Sequence, residues 1–285
     1  RKSDAFFGGM QLVLLGDFFQ LPPINGRFVF HSESWVAGIR NVVILDENMR
    51  QTKGSDFERC LNSLRIGVVD SESLAFLHSR SELLLDLEKR KKRKADELAG
   101  VSSSSEVTAS DDEEAFVTIC TTNHNANSIN LTEYAKLDGR EVTFQRRSFL
   151  LQKEASAAMQ SALETYQNPE TLKLRVGCRV MLLRNISVST GLCNGRTGVV
   201  TSFSRMGYPV VRFDKRTGVC TGDEVTIEPY RLETRDPLTD VLAFVIVEIP
   251  LRLAWAMTIH KCQGMTLSSA VVDLNPTFAA GQAYV

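Results

Sequence analysis

The chain has six cysteines, Cys60, Cys120, Cys178, Cys193, Cys220 and Cys262, but no C-x-x-C pair and no histidine at a zinc-finger offset. That rules out a zinc finger and reads as scattered buried thiols in a reducing compartment. No apolar run approaches the roughly 20 residues that span a bilayer, so no membrane-spanning helix and no membrane partner is expected. No signal or transit peptide is visible. Charge of one sign is also missing: 33 Lys and Arg stand against 34 Asp and Glu, for a net charge of -1. A protein that merely coats nucleic acid would be basic, so any nucleic-acid contact here must come from local patches. The phosphate-cradling pattern G-x-x-x-x-G-K-[ST] is absent as well.

What is present is globular. With 43% hydrophobic and 24% charged residues over 285 positions, there is material for real cores and room for two domains. Gln11 to Leu15 is a short apolar run bounded by glycines, and it predicts a buried parallel strand. Pro22-Pro23 stops any continuation, and Val42 to Leu45 predicts a second strand. From Asp56 the period turns helical, with Phe57, Cys60, Leu61 and Leu64 on one face and Gly67 beyond the last turn. A further amphipathic helix is expected over Ser73 to Leu87.

Residues 88–114 combine Lys89 to Lys94, a serine tract and Asp111 to Glu114. Such a composition cannot bury a core, and a disordered surface insertion is expected. Its basic run reads either as a nuclear-import or phosphate-contacting patch or as a solvated loop, the second being favoured. Phe116 to Thr121 predicts a strand and Ala126 to Leu137 a helix ended by Asp138-Gly139, whereas 140–172 are ambiguous. Arg179 to Leu183, Thr197 to Phe203, Pro209 to Phe213 and Glu224 to Ile227 are short strands punctuated by glycines, a pattern that predicts a small barrel. Ala243 to Ile249 leads back to the α/β pattern.

Three polar blocks follow apolar strands, the way an α/β sheet presents a ligand site at the carboxyl ends of its strands. In Gly16-Asp17-Phe18-Phe19-Gln20, the last residue is a neutral amide. It can orient water and sense a terminal phosphate without changing charge, as nucleoside-triphosphate hydrolysis requires. A Gln in a polar turn is ordinarily a turn residue, but Leu21-Pro22-Pro23 behind it makes the pattern specific. Asn48-Met49-Arg50-Gln51 offers a guanidinium fork that can neutralise the oxygens of a transferring phosphoryl group, although a lone Arg is more often a surface ion-pair partner. Thr258-Ile259-His260-Lys261-Cys262-Gln263-Gly264 is the densest block. Thr258 and Lys261 can bond phosphate oxygens, and His260 can stack on a base or touch the backbone. Gln263 and Gly264 are read as a strand's end, where a close approach to a ligand needs glycine. The competing view, ordinary surface polars, has little room given the T-x-H-K-x-Q-G order and Met265-Thr266-Leu267 behind it.

Together these blocks resemble the petite integration frequency (PIF) family of superfamily-one DNA helicases. Leu174 to Asn185 and Gly191 to Val200 look like that family's approach to its barrel, and Phe278 to Val285 like the opening of its last block. Val42 to Glu47 imitates a magnesium-binding strand, but in the family that strand precedes the G-D-x-x-Q-L-P-P block, whereas here it runs into Arg50. The family commonly has Ser where this chain has Cys262, which loses a good hydroxyl donor. It also carries its phosphate loop and magnesium ligands upstream of the first block and continues into A-L-S-R after the last. Hence the chain is expected to be cut through a domain at both ends and unable to hydrolyse ATP alone.

The resemblance implies an α/β fold: residues 1–45 end a first RecA-like domain, and 46–190 with 250–285 form a second RecA-like domain of parallel sheet and flanking helices. An inserted SH3-like β-barrel would occupy 191–249. It implies an ATP-dependent 5′-3′ DNA helicase in repair, recombination, replication or telomere maintenance, working on single-stranded and forked DNA as a monomer in the nucleus or mitochondrion. Gln20 and Arg50 would be catalytic. Asp17, Gln20, Arg50, Gln263 and Gly264 would bind ATP, and Thr258, His260 and Lys261 the nucleic acid. The Mg2+ ligands would lie outside this chain, which supplies none. The alternatives are a catalytically dead DNA-binding relic and a transposon-borne helicase module.

Overall fold

The computed structural model describes residues 4–23, 26–49, 51–99, 116–150, 169–214, 224–235, 240–265, 267, 269–277 and 281–284. The chain divides into two compact units, residues 1–114 with 273–285, and residues 115–272.

The first unit is helical. Ser32 caps α1 (Glu33–Gly38) by accepting from the Trp35 amide at 3.2 Å. Ser55 caps α2 (Asp56–Arg65) by accepting from the Glu58 amide at 3.2 Å, as the S-x-x-E spacing favours. Asp70 then accepts from the Ser73 amide at 2.7 Å, ahead of α3 (Ser71–Ala99). This bond, with further ones from Ser73 and Ser63, holds the Asp70 carboxyl below its ordinary range. Stacking of Phe57 on Phe76 at 5.9 Å ties α2 to α3, and the buried Cys60 thiol lies between them.

Three expectations change here. Residues 11–15 and 42–45 run in no strand, with Leu15 89% and Val43 82% exposed. A strand exists only through its neighbours, and no described strand pairs with either run, so apolar composition alone does not make a ladder. In addition, α3 continues through the basic block to Ala99, where the expectation was disorder from residue 88. Lys, Arg, Glu, Ala and Leu are strong helix formers, and a helix satisfies its own backbone without a core. Residues 100–114 lie outside the described residues.

The second unit holds the strands β1 (Val117–Cys120), β2 (Val142–Gln145), β3 (Arg147–Leu150), β4 (Thr171–Leu174), β5 (Arg179–Leu182), β6 (Thr197–Phe203), β7 (Pro209–Phe213) and β8 (Glu224–Thr226). It continues with β9 (Tyr230–Arg235), β10 (Leu242–Glu248), β11 (Leu251–Leu253) and β12 (Ala256–Thr258), and β13 (Ala270–Asp273) reaches its last residues. Its helices are α4 (Asn123–Ala135), capped by Thr122, and the single turn α5 (Ile259–Cys262). Antiparallel strands in the order β11-β5-β6-β7-β8 enclose a core of Leu174, Val180, Leu182, Val200, Val211, Phe213 and Leu251. Arg179, 7% exposed, is held by Asp214 at 2.7 Å and 3.3 Å, so that buried cation is paired. The ambiguous stretch resolves into the ladders β2-β4 and β3-β10-β9, apart from 151–168, which lie outside the described residues.

A separate sheet has the order β12-β1-β13, with β12 parallel to β1 at its edge. The free edge of β12 would leave Ala256 with an unpaired N–H and C=O. Asn130 of α4 closes both: its side-chain nitrogen donates to the Ala256 carbonyl at 2.9 Å and its oxygen accepts from the Ala256 amide at 2.9 Å. Both residues are buried, at 8% and 2% exposure. The substitution Asn130→Ala strands two buried backbone groups and is expected to cost about 2–3 kcal/mol. Urea unfolding of the variant checks this; Asn130→Asp should recover only part, since a carboxylate can accept from the amide but cannot donate to the carbonyl.

Candidate nucleotide and nucleic-acid contacts

In the first unit, the Asp17–Gln20 segment is a turn closed by the Gln20 amide donating to the Asp17 carbonyl at 3.2 Å. The sequence reading places it at the end of a strand; here no described strand precedes it, and it is braced from outside. One Asp17 carboxylate oxygen accepts from the Phe19 amide at 3.1 Å and from the Arg65 guanidinium at 3.2 Å. The other accepts from the Tyr284 hydroxyl at 3.2 Å. Arg65 also sits 4.9 Å over the Phe19 ring. Behind the turn, Gly281 (φ +75) comes so close that a Cβ there would meet the Phe19 carbonyl oxygen at 2.5 Å and the Gln20 carbonyl oxygen at 3.0 Å. Only glycine satisfies both demands at that position. The first and last recognised blocks are thus one packed assembly, and it presents Gln20 half-buried.

Arg65 and Tyr284 were not singled out from the sequence. Arg65 reads as an ordinary last-turn cation on α2, and Tyr284 stands out only through its place in the last block. Arg50 lies outside the described residues; beside it, the Gln51 amide donates to the Asn48 side chain at 3.3 Å.

The second unit gathers Thr258, His260, Lys261, Gln263 and Gly264 on one strand, one helical turn and the bend behind it. Thr258 ends β12, opposite Cys120 on β1, and is 4% exposed. His260 is exposed, and Lys261 reaches the Asn123 side-chain oxygen at 3.3 Å. Burial, and then the neighbouring Arg252 charge, push the Lys261 ammonium down to about 8. Gln263 and Gly264 follow a helix rather than end a strand, because Thr258 bends the chain into a turn closed by the Gln263 amide on the Ile259 carbonyl at 3.1 Å. Gly264 has φ +80 with open space around it, so conformation and not close approach explains the glycine. The Cys262 thiol donates to the Ile259 carbonyl at 3.1 Å, the bond a serine there would make, so a donor is kept. Burial raises that thiol above its usual range.

These donors fit the phosphate chemistry of a nucleotide and a nucleic-acid strand: an amide held in a braced turn, and a hydroxyl, an imidazole and an ammonium on one short segment. Among the described residues no three His, Cys, Asp or Glu side chains gather to hold a metal.

Residues 163–203 match the family model described as DNA helicase Pif1, 2B domain. The chain is 34% identical, over 98% of its length, to the ATP-dependent DNA helicase PIF7 of Trypanosoma brucei brucei, of which it covers 31%. Its fold matches the crystal structure of Pif1 helicase from Candida albicans with a TM-score of 0.72 at 28% identity, over 100% of this chain and 63% of that one. Along its whole length the chain is similar to the PIF family of DNA helicases. Pif1 helicase from Bacteroides in complex with ADP-AlF3 and single-stranded DNA matches with a TM-score of 0.62 at 28% identity, over 99% of this chain and 60% of that one. The fold class is therefore that of the Pif1 helicases, mixed α/β with a parallel sheet. The chain spans about a third of the length of the trypanosome helicase.

The Lys261 environment makes a prediction of its own. Between pH 8 and the usual lysine value of 10.5, the unfolded chain holds this proton and the folded chain has released it. Stability therefore rises with pH across that window, and Lys261→Met removes the rise. Denaturant unfolding at pH 7.5, 8.5 and 9.5 measures it; equal slopes for both proteins would contradict the assigned environment.

Proposed function

We propose that the protein carrying this chain is an ATP-dependent helicase that moves 5′ to 3′ on single-stranded DNA. The observation that carries this is the T-x-H-K-x-Q-G block, which a buried amide clamp fixes at the carboxyl end of a parallel strand pair, in a chain whose relatives are named as DNA helicases. In this reading hydrolysis of bound ATP would supply the free energy, and Mg2+ would neutralise phosphate charge. Gln20 orients the attacking water and senses the terminal phosphate, with Asp17 holding its turn and Arg50 neutralising developing charge. Thr258 and Lys261 hold strand phosphates, and His260 stacks on a base or contacts the backbone. Differential contacts with ATP and ADP then bias two conformations and ratchet the strand.

The same proposal assigns residues 1–45 to the end of one RecA-like domain, 46–190 with 250–285 to a second and 191–249 to an inserted barrel. It takes single-stranded and forked DNA as substrates and the nucleus or mitochondrion as compartment, with repair, recombination, replication or telomere maintenance as the setting. The 285 residues, with no phosphate-loop pattern among them, are proposed not to hydrolyse ATP by themselves.

The full-length protein tests this. DNA-stimulated ATP hydrolysis and unwinding of a 5′-tailed fork are expected. In Gln20→Ala the turnover number should fall about 100-fold, as removal of a group acting in the transition state does, with single-stranded DNA affinity retained. Single-stranded DNA binding with no ATPase in the wild-type protein would instead support the DNA-binding relic.

A further inference from the structure

Arg252 lies on β11 directly opposite Met181 of β5. Opposed residues of an antiparallel pair share one face of the sheet. Met181 packs with Val117, Ala254, Met257 and Cys262, whereas Leu251 next to Arg252 is buried in the five-stranded core. Arg252 therefore stands on the face of β11 that meets α5, the turn carrying Lys261. It is half-buried, and its guanidinium makes no hydrogen bond or ion pair with any described residue. Lys261 is bonded to a neutral amide oxygen, and neither cation forms an ion pair with a carboxylate among the described residues. Burial first, and the Arg252 charge second, depress the Lys261 ammonium. Nearby, Thr121 follows Cys120, the residue opposite Thr258, and its hydroxyl is buried without a partner among the described residues.

Two half-buried like charges with no counter-charge among the described residues, beside an unsatisfied hydroxyl, are unfavourable unless an anion joins them. We propose that Arg252 and Lys261 together seat one phosphodiester group of single-stranded DNA. The seat rests on the reading of Thr258 to Gly264 as the strand-gripping block and adds a residue outside it. A phosphodiester carries one negative charge and two free oxygens. The planar fork of Arg252 can engage both, and Lys261 serves as a point charge. Two cations exceed that one charge, which leaves attraction for a strand bearing further phosphates. Occupation would also move the Lys261 titration back up toward its usual range, because a bound anion favours the charged form.

The test is binding of the 285-residue chain to a fluorescein-labelled oligothymidylate across a salt series. Losing one phosphate contact on a single strand flattens the log–log salt dependence by about 0.7 and weakens binding about fivefold at 0.1 M salt. Arg252→Gln should show both changes, and Arg252→Lys should keep most of the slope. An abasic strand of the same length should show the same loss; a loss confined to the base-bearing strand would place Arg252 on a base and overturn the proposal. If Lys261→Gln flattens the slope and Arg252→Gln does not, the seat is refuted while the strand-gripping reading stands. If neither does, that reading fails too. Thermal melting of Arg252→Gln is expected at or above that of the parent chain, since an uncompensated cation is removed. Should the variant melt early, titration of the parent chain with the dinucleotide dTpdT decides. Nuclear magnetic resonance signals of both the Arg252 guanidinium and the Lys261 side chain must then move, and a still Arg252 sinks the proposal.

Discussion

The two hydrogen bonds between Asn130 and Ala256 are the constraint on which the second unit's polar block depends. A parallel sheet edge exposes a row of unpaired backbone groups, and β12 is such an edge, only three residues long. It is too short to be held by its ladder with β1 alone. The Asn130 amide imitates a neighbouring peptide and supplies the missing partner from a helix. With β12 fixed on both sides, Thr258 has one position, and the turn that follows has one direction. The hydrogen bonds of Gln263 and Cys262 to the same Ile259 carbonyl then close that turn.

How much of this could be read in the sequence depends on whether the signal was local. The capped helix α2, the strands β5 to β7 and the block at 258–264 were legible because period, caps and residue order lie within a few positions of one another. The strands expected at 11–15 and 42–45 were not confirmed, since an apolar run records what a segment would bury and not which neighbour covers it. The reach of α3 past residue 88 was missed for the opposite reason. Absence of a core is not absence of structure, because helical hydrogen bonds are internal. Asn130 was invisible because an asparagine inside a helix carries no mark of a partner 126 positions away. Arg65 and Tyr284 were hidden in the same way, since their common partner Asp17 is 48 and 267 residues distant.

The two polar groups are braced by different physics, and this sets how each should respond to its surroundings. Asp17 is held by a guanidinium, a phenol and an amide, and the Arg65 and Asp17 side chains are 42% and 20% exposed. An ion pair so open contributes at most about 1 kcal/mol and is screened by salt, so the turn keeps some freedom. That suits a residue such as Gln20 if it must respond to the presence or absence of a phosphate. The 258–264 block is held by neutral, buried hydrogen bonds that salt does not weaken. Its exposed charge is then free to serve a ligand while its frame stays fixed.

The same reasoning explains why charge near Lys261 is left unbalanced. A carboxylate beside Arg252 would relieve the repulsion and stabilise the empty chain, but it would also repel every phosphate that approached. The fold neutralises the buried Arg179 with Asp214, so pairing a cation is within its means. Among the described residues the partner of Lys261 is the amide of Asn123, whose oxygen accepts a hydrogen bond and carries no charge. Unrelieved repulsion in the empty state becomes differential affinity in the occupied one, and it does so only where both cations share a face. The register of β11 on β5 meets that condition: a slip of one residue would turn Arg252 into the apolar core and Leu251 out to α5.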